Sequence, residues 1–327
     1  MPSQACDPSR VSQGRAVALH CSMGWRIVIG TIVFGETYTM QIRPRRSALY
    51  MPGSNARALE KAKTLDADVV IFDLEDAVAP EVKADARAQV ADAVRLGGYG
   101  RREVVIRINA PDTEWSKADV DAMAAVRPDA LLVPKVSTPD AVAAIERWLA
   151  EADPGIKLWA MIETPLAILN VNQIAAAAAA PGSRLACFVV GTNDLIKDTR
   201  AEMDAARTPA LFWLSATVTA ARAYGIDVLD GVYNNFKDLE GFERECAHGR
   251  MLGMDGKTVI HPTQIEAANR TFSPAAEDVE WARRVLNAFE QPENQGKGVI
   301  KMDGQMVELL HAEMAKRVVA IADAIAG

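Results

Sequence analysis

Cysteine is scarce in this chain, and its four residues are scattered: Cys6, Cys21, Cys187 and Cys246 form no C-x-x-C pair. Neither a zinc site nor a disulfide framework is expected from them, and a reducing cytoplasm fits that usage. No H-E-x-x-H, G-x-S-x-G or Cys/His arrangement occurs in a fitting context, which disfavours zinc hydrolases and serine or cysteine acyl transfer. Long apolar runs are missing too. Trp25 to Phe34 is ten residues interrupted by Arg26 and Gly30, too short to span a membrane. Positive charge is outweighed, 36 Lys and Arg against 43 Asp and Glu for a net −7, so nucleic acid is not the expected main partner. Two local basic clusters remain, Arg43, Arg45 and Arg46, then Arg57, Lys61 and Lys63. Gly256-Lys257-Thr258 ends like a phosphate-binding loop, but the leading glycine would fall at Met251 and a strand ending follows, so that reading fails.

What the chain has is bulk and rhythm. Half of its 327 residues are hydrophobic, and from Arg46 onward short Val/Ile/Leu runs alternate with Ala-rich amphipathic segments. Strands are expected near Ala48 to Met51, Asp68 to Asp73, Val104 to Asn109, Ala130 to Pro134, Leu158 to Glu163, Leu185 to Gly191, Asp227 to Leu229 and Lys257 to Ile260. Eight strands separated by helices is the count of a closed (β/α)8 barrel, an α/β fold. The runs are apolar throughout, as strands covered on both faces should be. A doubly wound open sheet is the alternative, but no G-x-G-x-x-G follows the first strand.

The predicted division is an N-terminal extension over 1–39 without fixed structure and a true start at Met40. A barrel over 40–290 follows, then a polar linker and C-terminal helix over 291–327. Pro274 to Phe289 and Val307 to Ala326 read as helices joined by the polar stretch Gln291 to Lys301, and the last could serve as a lid or as an ordinary packing helix.

Several strands end in polar residues: Asp73, Glu75 and Asp76 after the second, Arg107 and Asn109 on the third, Lys135 after the fourth, Asp230 after the seventh and His261 after the eighth. Barrel enzymes build their sites at that face. Glu163 and Asp194 end consecutive strands and could share a hard divalent cation through oxygen, or each could cap the helix that follows. Arg87, one helix beyond Glu75-Asp76, could grip a small carboxylate or form a surface ion pair. His261 reads as structural, and His248 and His311 are assigned no chemistry.

Six motifs together resemble the citrate lyase beta-subunit-like proteins, which include malyl-CoA and citramalyl-CoA lyases and malyl-CoA thioesterases. They are Ser47-Ala48-Leu49-Tyr50-Met51-Pro52-Gly53-Ser54, Phe72-Asp73-Leu74-Glu75-Asp76-Ala77-Val78 with Lys83 and Arg87, Ile162-Glu163-Thr164-Pro165, Gly191-Thr192-Asn193-Asp194-Leu195, Asp230-Gly231-Val232-Tyr233 and Gly256-Lys257-Thr258-Val259-Ile260-His261-Pro262. The resemblance runs from about Arg46 to the C-terminus. It implies a (β/α)8 barrel in trimers or hexamers, Mg2+ held by Glu163 and Asp194, and Arg87 on the substrate carboxylate. Asp73, Glu75 and Asp76 would order water around the metal, Tyr50 and Lys61 would contact coenzyme A, and Asn193 would line the substrate site. Asn55 stands where the family has an arginine, so Arg57 is expected to substitute. The family's lyases carry a catalytic Asp on a terminal lid donated to the adjacent subunit. Here Glu308 stands in that place with one more methylene, which moves a reacting proton by about an ångström.

The resemblance thus implies a Mg2+-dependent acyl-CoA lyase or thioesterase acting on a short 3-hydroxyacyl-CoA with a second carboxylate, such as (3S)-malyl-CoA. The alternatives are a citrate lyase beta subunit, a citramalyl-CoA lyase, or a catalytically silent barrel kept as a scaffold. No nucleic-acid or membrane partner is expected.

Overall fold

The computed structural model describes residues 43–327. The expected extension over 1–39 and the start at Met40 lie outside the described residues. The described residues lie within one compact unit.

Eight parallel strands close into a barrel in sequence order: β1 (Ser47–Pro52), β2 (Val69–Asp73), β3 (Glu103–Arg107), β4 (Ala130–Val133), β5 (Lys157–Ile162), β6 (Leu185–Val190), β7 (Asp227–Asp230) and β8 (Gly256–Val259). Each lies where an apolar run predicts a strand. Helices α1 (Ala56–Ala62), α2 (Lys83–Leu96), α3 (Ser116–Val126), α4 (Pro139–Trp148), α5 (Pro165–Ala176), α6 (Thr192–Thr199), α7 (Leu211–Ala223), α8 (Leu239–Leu252) and α9 (Ile265–Phe272) surround it.

The strands alternate between two cores. Residues such as Val70, Phe72, Ile106, Leu131, Ile162 and Phe188 point outward into the layer beneath the helices. Their neighbours Val69, Ile71, Val105, Leu132, Trp159, Met161, Cys187 and Val189 fill the barrel interior. Because side chains alternate with period two, the inward rows continue upward from Val69 and Ile71 to Asp73, from Val105 to Arg107, and from Trp159 and Met161 to Glu163. The interior is therefore apolar through its middle and charged at its mouth.

The floor is closed by the segment entering β1. Arg45 binds Glu103 through two nitrogens at 2.6 and 2.8 Å and Asp227 at 2.5 Å, with its guanidinium 4.9 Å from the centre of the buried Trp159 ring. Gly256 lets this segment pass: a Cβ there would overlap the Arg45 carbonyl.

After the barrel, α10 (Ala276–Glu290) and α11 (Leu309–Ala326) pack together. The stretch between them, expected as a linker, contains an antiparallel hairpin of β9 (Val299–Met302) and β10 (Gln305–Glu308). Asp303 and Gly304 both take positive φ at its turn, the backbone of a two-residue hairpin. Helix α11 lies against the floor, where Arg317 reaches Asp255 at 2.7 Å and Arg101 reaches the Ile325 carbonyl at 3.1 Å. No helix among the described residues is long and apolar enough to cross a membrane.

Candidate active site

A cavity of about 550 Å³ opens at the C-terminal ends of the strands, lined among others by Tyr50, Asp73, Arg107, Glu163, Asn193 and Asp194. Asp73 and Arg107 are directly paired across the β2–β3 register. Arg107 clasps Asp73 through Nε and Nη2 at 2.7 and 2.6 Å, and its Nη1 faces Glu75 at 3.1 Å and Asp76 at 3.5 Å. The guanidinium lies 5.0 Å from the Tyr50 ring centre, a cation–π contact that holds its plane in place. Burial pushes the Tyr50 phenol up, so it stays protonated. The acidic turn is fixed from behind: Asp73 accepts the backbone N–H groups of Glu75 and Ala77, and the Lys83 ammonium donates to the Leu74 and Glu75 carbonyls.

Glu163 is buried to 1 % exposure and accepts a hydrogen bond from the Lys135 backbone N–H at 2.6 Å. Burial, then the charge of Glu75, pushes its carboxyl up to about 8. Lys135 serves two acids at once, because its ammonium also binds Glu75 at 3.0 Å. A φ of +55° at Lys135, a conformation uncommon in a non-glycine residue, turns both groups inward. Burial likewise raises the carboxyl of Glu75. Asp194, in the first turn of α6, has as its nearest basic partner Lys197 at a loose 3.9 Å.

Two carboxylates with little cationic compensation are what a hard divalent cation needs. Gly191 lets the Glu163 side chain lie against the turn after β6: a Cβ there would fall 2.5 Å from Glu163 Oε2. Among the described residues no group of three or more His, Cys, Asp or Glu is arranged to hold a metal. The pair would leave most of a coordination shell to water and substrate, the usual manner of Mg2+.

The profile of the HpcH/HpaI aldolase/citrate lyase family matches residues 46–262. The chain belongs to that family. It is 46 % identical to a (3S)-malyl-CoA thioesterase of Cereibacter sphaeroides, over 88 % of this chain and 97 % of the relative. It is 36 % identical to citrate lyase subunit beta of Escherichia coli, over 81 % and 89 %. Among solved structures, protein CitE from Mycobacterium tuberculosis in complex with magnesium, acetoacetate and coenzyme A superposes with a TM-score of 0.66. That match has 29 % identity and covers 85 % of this chain and 99 % of that one.

Within this family member, the fold brings Tyr50, Asp73, Asp76, Glu163, Asn193 and Asp194 to one cavity, with Glu75 just behind Arg107 and Lys135. Arg87 is elsewhere. Its Nε binds Asp119 at 2.6 Å on α3 and its Nη2 approaches the Trp115 carbonyl, outside the cavity lining. The guanidinium at the mouth is Arg107, which the sequence shows only as a polar strand end. Arg57 and Lys61 lie exposed on α1, outside the lining, and Asn55 caps that helix by accepting from the Ala58 N–H. Glu308 ends β10 and caps α11 in a reciprocal arrangement with His311, also outside the cavity. Asp230 is fully buried away from the lining. Burial alone would raise its carboxyl, but Lys257 and Arg207 hold it below the usual range. His261 caps a short turn and stacks on Phe236 with ring centres 4.5 Å apart.

Proposed function

We propose that this chain is a Mg2+-dependent acyl-CoA enzyme that cleaves (3S)-malyl-CoA or a similarly short 3-hydroxy-dicarboxylyl-CoA, by thioester hydrolysis, carbon–carbon cleavage or both. The observation that carries this reading is the under-compensated pair Glu163 and Asp194 in the same cavity as a guanidinium. The thioesterase relative at 46 % identity and the magnesium and coenzyme A complex of the CitE neighbour support it.

Glu163 and Asp194 would hold the ion. When bound, Mg2+ supplies Lewis-acid polarisation of substrate oxygens. Arg107 takes the role expected of Arg87 and neutralises the substrate's free carboxylate. Asp73, Glu75 and Lys135 hold Arg107 and Glu163 in position, so little reorganisation accompanies the reaction. Asp76, more exposed than the others, orders water at the mouth. Tyr50 would meet the thioester end of coenzyme A, and the exposed Arg57 and Lys61 on α1 suit its phosphates.

Glu308 would complete the site from a neighbouring copy in a homotrimer or hexamer. Two facts support this: α11 is tied to the floor by Arg317, and Met306, Leu309, Leu310 and Met314 around Glu308 are exposed apolar side chains. A cytoplasmic setting is supported by Cys187 and Cys246, both free buried thiols.

The test is product analysis. Incubated with malyl-CoA or citramalyl-CoA and Mg2+, the purified protein is expected to release free CoA with the hydroxy acid, or acetyl-CoA with the keto acid. Neither product from either thioester would overturn the reading.

A further inference from the structure

Beneath the charged mouth the cavity ends on two apolar side chains. Met161 and Val189 are register partners on β5 and β6, only 5 % and 1 % exposed, and both line the cavity. Met161 precedes Glu163 by two residues, so the two side chains share the inward row of β5. Its sulfur also lies 4.0 Å from Arg107 Nη1. Met161 therefore touches the guanidinium at the mouth and sits one step below Glu163.

Little below this floor can give way. Trp159, the next inward residue of β5, is fully buried in the same interior core, with the Arg45 guanidinium over its ring. Val189 is branched at Cβ and stiff at χ1. The methionine is the adaptable member, unbranched and with three rotatable bonds. The depth of the cavity at this point is set by Met161.

We propose that Met161 is a specificity-determining residue that limits the size of the group carried on the substrate's hydroxyl carbon. The inference rests on the proposed acyl-CoA reading. In that reading the carbon bears the hydroxyl, the free carboxylate, the CH2 leading to the thioester, and a fourth group, hydrogen in malyl-CoA or methyl in citramalyl-CoA. The carboxylate goes to Arg107, and the hydroxyl faces Glu163 and Asp194. The thioester arm must leave through the mouth, because side chains fill the barrel below. At a tetrahedral carbon with one bond toward the mouth, the other three bend away from it. The fourth group, with no polar partner to seek, then meets the floor at Met161. Hydrogen asks less of that floor than methyl does, so shortening the side chain at position 161 should favour the methyl.

The experiment reads ratios, which a general loosening of Arg107 would leave unmoved. Wild type and Met161→Ala are compared for kcat/KM with citramalyl-CoA over malyl-CoA. Calorimetry in Mg2+ adds the affinity for pyruvate over glyoxylate, the 2-keto acids with methyl and hydrogen on the same carbon. Both ratios should rise about tenfold in Met161→Ala, the low end of what one methylene is worth in an apolar pocket. Met161→Leu, a swap of similar volume, should keep both within about threefold of wild type. If the alanine variant does not fold, Met161→Val, which suits a strand, makes the same comparison and should raise both by a smaller factor. An unmoved or lowered ratio in either measurement overturns the assignment, as does an equal rise in Met161→Leu or a wild type that binds neither keto acid. If wild type turns over neither thioester yet the keto-acid ratio rises in the shortened variant, the floor assignment stands and the proposed reaction falls.

Discussion

The two ends of the barrel are built from the same parts with different balances. At the floor, Arg43, Arg45, Arg46, Arg222 and Arg317 meet Asp129, Glu103, Asp227, Asp68 and Asp255, five cations for five carboxylates. At the mouth, Asp73, Glu75, Asp76, Glu163 and Asp194 meet Arg107 and Lys135, with Lys197 only loosely near. Each end even lays a partly buried arginine over an aromatic ring, Arg45 on Trp159 and Arg107 on Tyr50. Balanced charge holds a fold together, whereas charge in excess is held by the fold for something else to balance. If so, substitutions at the mouth should change binding and turnover, and those at the floor should change stability.

The largest effect is expected at the mouth. Asp194→Ala should abolish Mg2+ binding and lower turnover by about 10³-fold or more, the equivalent of several kcal/mol of Lewis-acid assistance, while melting is unchanged. Full activity of that variant after chelator treatment would refute the metal reading. Glu163 adds a pH signature. With its carboxyl pushed up to about 8, a proton must leave before the ion binds, so affinity should rise about tenfold per pH unit below that value and level off above it. The raised value also means that the metal-free fold loses stability as pH rises from the unfolded carboxyl range, about 4.3, to about 8. Glu163→Gln should remove that loss, so its melting advantage over wild type in chelator should grow across this window.

The floor should respond in the opposite way. Arg45→Met leaves Glu103, 2 % exposed, and Asp227 without their shared partner, and removing one member of a buried pair costs about 3–5 kcal/mol. Denaturant unfolding should register that loss, while the folded fraction keeps wild-type turnover. A loss of turnover without loss of stability would break the comparison.

Much of this was legible in the sequence, because strands covered on both faces need uninterrupted apolar runs and the barrel needs eight of them. The inward row at the mouth was legible only in part. Asp73 and Arg107 sit 34 residues apart and meet because the β2–β3 register pairs them, which a linear motif does not encode. Arg87 follows the acidic turn closely in sequence, yet it rides on α2 and turns out toward Asp119 on α3. Period-two reading from Val105 to Arg107 was the available signal. The β9–β10 hairpin was hidden among polar residues, with Ile300 and Val307 its buried side chains, although Asp303-Gly304 is a hairpin turn signal in its own right.

Arg107 and Arg87 therefore give an intermediate test within the mouth and beside it. Arg107→Lys loses the two-pronged clasp on Asp73 that orients the cation and should lower kcat/KM for malyl-CoA by about 10- to 100-fold, the worth of a charge-assisted hydrogen bond. Arg87→Ala should leave KM unchanged and cost only about 1–3 kcal/mol of stability, since the buried Asp119 retains the N–H groups of Asn109. The reverse pattern, with Arg87 controlling KM, would return the carboxylate to α2.

The smallest effect is expected where the floor meets α11. Arg317 is 43 % exposed, and its main partner Asp255 is also held by Arg222 at 2.9 Å. An exposed ion pair contributes about 0–1 kcal/mol, and a second arginine shares the load. Arg317→Ala should therefore lower unfolding free energy by less than about 1 kcal/mol, and the difference should shrink as salt is raised, because exposed charges are screened within about 10 Å at 0.1 M. Turnover distinguishes two roles for α11. If it only covers the floor of its own barrel, activity is unchanged. If its N-terminus carries Glu308 to a neighbour, loosening the anchor should lower activity more than stability, and a Glu308→Gln chain mixed with an Asp194→Ala chain should recover activity that neither has alone.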